Sequence, residues 1–145
     1  MDMNTEFECL DGSDESDALR ARESYLRMTY QDLSHMLEEV KIRLTYANDG
    51  WRDEGLEPGF RHLFHNESLR CRREIYSIRV QLREVELAIL ETELEQVRDE
   101  GRFVASVLQD PDCADLHHDF RPTWGDLVRR QTELVREIAE LRSQM

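Results

Sequence analysis

The side chains able to hold a metal or move a proton fall into two groups: His62 and His65, three residues apart, and Cys113, His117 and His118 among Asp112, Asp115 and Asp119. Imidazole, thiolate and carboxylate are all zinc ligands, so each group invites a metal reading. A continuous helix between the groups would hold them roughly 60 Å apart, which only an antiparallel dimer could bridge. The second group alone offers a weak site. We therefore expect polar loop histidines, with no metal site and no cofactor, and keep a small metal-binding protein as an alternative.

Glu91, Glu93 and Glu95 form the densest carboxylate cluster. Nothing apolar is positioned around them to raise a pKa, as general acid catalysis would require. A Gly-rich phosphate loop, a Gly-x-Ser-x-Gly elbow and a Cys-x-x-Cys pair are all missing from the sequence. No catalytic residue is assigned, and the chain is expected not to be an enzyme.

The basic residues are unevenly placed. Arg61, Arg70, Arg72, Arg73, Arg79 and Arg83 face only Glu67 and Glu74 over residues 61–83, whereas 84–100 carries seven acids against Arg98 alone. A basic stretch before an apolar seam is one way in which a helix enters the major groove. A DNA-associated regulator using the basic segment 70–83 is accordingly the runner-up reading. Ile75, Tyr76, Ile78, Val80 and Leu82 interrupt that stretch, and the formal charge of the chain is -13. Such a surface repels phosphates at long range, and a nucleic-acid partner is not expected.

Cys9, Cys71 and Cys113 are odd in number and widely spaced, a poor disulfide framework that suits a reducing compartment. The amino terminus lacks the basic start and apolar stretch of a secretory signal, and the longest aliphatic run, Leu87 to Leu90, is too short to span a bilayer. These features predict an intracellular protein of the cytoplasm or nucleus, with no membrane contact.

The elements that would position these side chains are helical. Residues 1–13 are rich in acids and hold little to bury, and are expected to form a disordered acidic tail before a single helical domain over 14–145. From Leu26 the apolar residues step by fours and threes through Tyr30, Leu33, Leu37, Val40, Leu44 and Ala47, a three-heptad seam. Asn48-Asp49-Gly50 should end this helix, and residues 50–66, with Gly55, Pro58 and Gly59 among Trp51, Phe60 and Phe64, read as a packed loop. A second helix is expected over about 67–108. A third, over about 123–145, has the seam Trp124, Leu127, Gln131, Leu134, Ile138, Leu141 and Met145 and a cap at Thr123 or Asp126.

Short connections favour antiparallel packing. The predicted fold is thus all-α, a three-helix antiparallel bundle or coiled coil with a long central helix. Its expected core is Leu33, Leu37, Ile78, Leu82, Leu90, Leu94, Leu134 and Ile138. In the overlap zone 86–97 the central helix meets two neighbours, and its apolar face widens there. Its first half carries one seam of Cys71, Ile75, Ile78, Leu82 and Val85 and a second stripe of Leu69, Tyr76 and Val80. A stripe left in water needs a cover, either the loop of residues 51–64 or another chain. The leading expectation is a non-enzymatic helical adaptor or complex-assembly subunit, self-associating or binding a partner helix. The partner-binding residues are Leu69, Tyr76 and Val80 with Arg72, Arg73, Arg79 and Arg83. An association setting the basic stretch of one copy against the acidic stretch of another would be salt-sensitive.

Overall fold

A computed structural model describes residues 3–145, with side chains from Glu15 onward. The acidic tail expected over 1–13 lies outside these fully described residues. The chain is all-α: α1 spans Met3–Arg52, α2 Pro58–Gln109 and α3 His117–Ser143, with a 3-10 turn over Pro111–Leu116. No strand occurs among the described residues, and no helix there is long and apolar enough to cross a membrane. The contacts divide the chain into two compact units, Met28–Glu86 and the pair of segments Met1–Arg27 and Leu87–Met145.

Met28–Glu86 is a helical hairpin. Its core is Leu33, Val40, Cys71, Ile75 and Ile78, with Leu37, Leu44, Leu82 and Val85 packed against it. The seam residues of α1 therefore meet the first seam of α2, as their spacing predicts. Arg43 donates to Glu74 at 2.7 Å, and nearer the turn Ser68 donates to Asn48 at 2.8 Å, so the two strands of helix run in opposite directions. Both Ser68 and the seam residue Ala47 are buried.

The connection is shorter than the sequence predicts. Helix α1 continues through Asn48-Asp49-Gly50 to Arg52, and α2 begins at Pro58 rather than near Glu67. Three local causes account for the difference. Gly50 lies within α1 and leaves room for the Phe64 ring, whose Cδ1 would stand 2.6 Å from an added Cβ, so it seats an aromatic side chain. Pro58 occupies the first helical position, where no N–H is needed. The carboxylate of Asp53 accepts from the Gly55 N–H at 2.9 Å, closing the residual turn. Trp51 stacks on His65 with centroids 4.3 Å apart, while Arg61 lies 5.6 Å from its ring centroid and donates to its carbonyl at 3.3 Å.

In the other unit, segments of all three helices pack together. Leu94, Leu134 and Ile138 form the cluster, with Leu87, Leu90 and Val97 against it. Between α2 and α3, Phe103 meets Phe120 edge to face and Glu91 accepts from Arg142, again an antiparallel order. The double coverage of α2 is visible at Glu93, which takes Arg27 of α1 at 2.9 Å and Arg130 of α3 at 2.7 Å. Thr92 beside it is buried, donating to the Ala88 carbonyl at 2.8 Å and accepting from Arg22 at 3.2 Å.

Helix α3 starts at His117, before the expected position, and carries Pro122 inside it. Neither Thr123 nor Asp126 caps it; Asp126 pairs instead with Arg129. The helix entry is set upstream, where the Asp110 carboxylate accepts from the Asp112 N–H at 2.9 Å with Pro111 following as the first residue of the turn.

Candidate interaction surface

The stripe assigned from spacing lies on the outer side of α2 in the hairpin unit. Leu69 is 43% exposed and Tyr76 72% exposed, whereas Val80 is half-buried. Residues 51–64 do not cover them, because most of that segment has been drawn into the two helices. On a helix, positions i−4, i−3, i+3 and i+4 adjoin residue i. Tyr76 is therefore ringed by Arg72, Arg73, Arg79 and Val80, and Arg83 stands one turn beyond Arg79.

All four of these arginines are exposed, and none makes an ion pair or hydrogen bond within the described residues. Two of the acids near them are engaged elsewhere. Glu74 pairs with Arg43, and Glu67 pairs with Arg70 and, at 3.9 Å, with Arg43. Hydrogen bonding to Glu74 holds the Arg43 guanidinium above its ordinary pKa. An exposed phenol surrounded by unanswered guanidinium groups can accept an apolar side chain and carboxylates together.

The acidic stretch 84–100 is partly engaged within the chain. Glu91 is paired with Arg142, Glu93 with Arg27 and Arg130, Glu95 with Arg22, and Asp99 with Arg102. Four of the seven acids of the stretch are thus engaged within the chain, and Glu84, Glu86 and Glu100 are left for the expected docking of one copy's basic stretch on another's acidic stretch. Sequence spacing did not reveal this, since most of the arginines concerned lie far from 84–100 along the chain. The same pairs occupy the carboxylate cluster. Glu23, on α1, is held below the ordinary carboxylate pKa by a hydrogen bond from Gln96 and then by Arg27.

The metal candidates have other work. His117 places Nε2 2.9 Å from the Val107 carbonyl and 3.0 Å from that of Asp110, so its ring closes the carboxyl end of α2. The Cys113 Sγ lies 3.6 Å from the Asp110 carboxylate, and partial burial followed by that charge pushes its thiol pKa up, away from the thiolate a metal takes. His65 is stacked on Trp51, and His62 lies 6.5 Å from it. Among the described residues no three His, Cys, Asp or Glu side chains converge as a metal would require.

Spacing overlooked part of the exposed apolar surface. Met28, Met36, Ile42 and Tyr46 of α1 and Phe60 and Leu63 near the start of α2 are exposed in the hairpin unit. They fall outside the seams and follow no regular step, so periodicity had no means of grouping them. Compared with known protein families, curated proteins and solved structures, the chain matches none of them.

Proposed function

We propose that the chain is a non-enzymatic, intracellular helical interaction subunit that docks a partner helix or a second copy through the outer face of α2 in the hairpin. Support comes from one observation: Leu69 and Tyr76 stay exposed beside Arg72, Arg73 and Arg79, with Arg83 a turn beyond, in a unit that has a buried core of its own. A second apolar stripe contributes nothing to the hairpin core, and leaving it in water carries a solubility cost.

The test compares the full chain with Tyr76→Ser and Val80→Glu. Light scattering across concentrations, together with recovery of co-purifying chains, should reveal an association that Tyr76→Ser removes while helical content is unchanged. Val80 is half-buried, so Tyr76→Ser is the cleaner variant. A monomer at every concentration, with no partner that depends on Tyr76, ends the proposal.

The same four arginines favour a second reading, a DNA-associated regulator. Its signature is retardation of duplex DNA that weakens steeply with salt and is lost on replacing Arg72 and Arg79.

A further inference from the structure

We propose that the outer face of α2 in one copy docks on the outer face of α1 in the hairpin of a second copy, with Asp32 and Glu39 answering Arg72 and Arg79. The inference rests on the docking role proposed above and names its occupant.

Two rows of side chains on the hairpin carry the argument. On α2, Leu69 and Tyr76 are exposed beside Arg72, Arg73 and Arg79, and none of these arginines has a partner among the described residues. On α1, Met28, Asp32, His35, Glu39, Ile42 and Tyr46 follow one another by fours and threes, the step that keeps side chains on one helical face. All six are exposed, and none belongs to the hairpin core. The apolar members alone show no regular step; the polar residues between them complete the row. Asp32 and Glu39 make no ion pair among the described residues. Arg43, four residues after Glu39, is drawn to Glu74 instead.

Charge and spacing match across the two rows. Asp32 and Glu39 are seven residues apart, as are Arg72 and Arg79, so each pair spans about 10 Å along its helix. Met28 and Ile42 adjoin the two acids, as Leu69 and Tyr76 adjoin the two arginines. A two-fold contact of either row with itself sets like charges together, arginine on arginine for α2 and carboxylate on carboxylate for α1. Other acids of the hairpin carry no ion pair either: Asp53, Glu54 and Glu57 in the connection, and Glu84 and Glu86 near the end of the unit. The first three lie outside the helices, and no large apolar side chain over residues 81–86 is exposed, so neither group offers an apolar row between its charges. Contact between unlike faces is heterologous and leaves one row open at each end of an assembly.

The test uses the full chain and sedimentation across concentrations, with helical content followed by circular dichroism. The native chain should grow beyond a dimer as concentration rises. Asp32→Asn with Glu39→Gln should weaken self-association about tenfold, and Asp32→Lys with Glu39→Lys should abolish it. Raising salt from about 0.1 M to about 1 M, which shortens the screening length from about 10 to about 3 Å, should weaken it by a similar factor. The deciding arm mixes two chains. The Tyr76→Ser chain keeps only its α1 row and the Asp32→Lys, Glu39→Lys chain only its α2 row, so each alone should be monomeric and the mixture a one-to-one complex that grows no further. If the Asp32→Lys, Glu39→Lys chain self-associates like the native one while Tyr76→Ser does not, the occupant is wrong and the docking role stands. A native chain that is monomeric at every concentration overturns this inference, and the docking role then depends on a foreign partner recovered through Tyr76.

Discussion

Gly50→Ala should destabilise the hairpin, although helix propensity alone argues the opposite. Gly50 lies inside α1, where exchanging Gly for Ala normally stabilises by about 1 kcal/mol. The added methyl would overlap the Phe64 ring, Cδ1 being 2.6 Å away, and the clash reaches the base of the ring, so no bend at a flexible tip relieves it. Forcing a packed ring aside costs about 1–3 kcal/mol. The balance is a loss of about 1 kcal/mol, set by subtracting the propensity gain from the middle of that range. The informative measurement is a double-mutant cycle by urea unfolding followed by circular dichroism. In a Phe64→Ala background the obstacle is gone, and Gly50→Ala should turn stabilising by up to about 1 kcal/mol. If Gly50→Ala stabilises the native background as much as it stabilises Phe64→Ala, the steric account of the uninterrupted helix is wrong.

Leu134 is fully buried, and truncating it to Ala should cost about 2–5 kcal/mol, seen as a lower urea midpoint with an unchanged slope. Glu23 has a lowered folded pKa, so its contribution is complete above its ordinary value of 4.5 and is lost as pH falls below that towards the folded value. Glu23→Gln should therefore narrow the gap in stability between neutral and acid pH, by less than about 1 kcal/mol for so exposed a pair; an unchanged acid profile would contradict this. The Cys71 thiol is buried and its pKa is raised, first by burial and then by the charge of Glu67. Its alkylation should track unfolding in urea, and reaction at a free-thiol rate in the native chain would argue against the hairpin core. Val80→Glu should abolish self-association while keeping helical content, as measured by light scattering and circular dichroism.

The faces of the helices were legible in the sequence because a seam of fours and threes is a local property of one helix. Leu33, Leu37, Ile78 and Leu82 reach one cluster, and Leu90, Leu94, Leu134 and Ile138 the other, as their spacing predicts. Helix ends were less legible. Asn, Gly and Pro weaken a helix in isolation, yet Asn48 is held by Ser68, Gly50 gives room to Phe64, and Pro58 falls where a proline costs nothing. Each outcome depends on where a residue sits or on a neighbour that one helix cannot reveal. The balance of charge was misleading for the same reason. Residues 84–100 read as an acidic surface, but arginines from α1 and α3 neutralise much of it. The candidate face on α2 was found because arginines and an apolar stripe coincide within a few turns.

Seams that repeat every seven residues leave a hairpin free to slide, since a shift by one heptad restores an apolar residue to each seam position. The part-buried bond from Ser68 to Asn48 opposes that freedom. A slip of seven residues along α2 would bring Asn48 opposite Ile75 and strand its amide against a hydrocarbon, a penalty of about 1–3 kcal/mol for the unpaired group. One polar pair among apolar neighbours thus acts as an index mark for the hairpin. It also fixes which residues of α1 lie opposite each turn of α2.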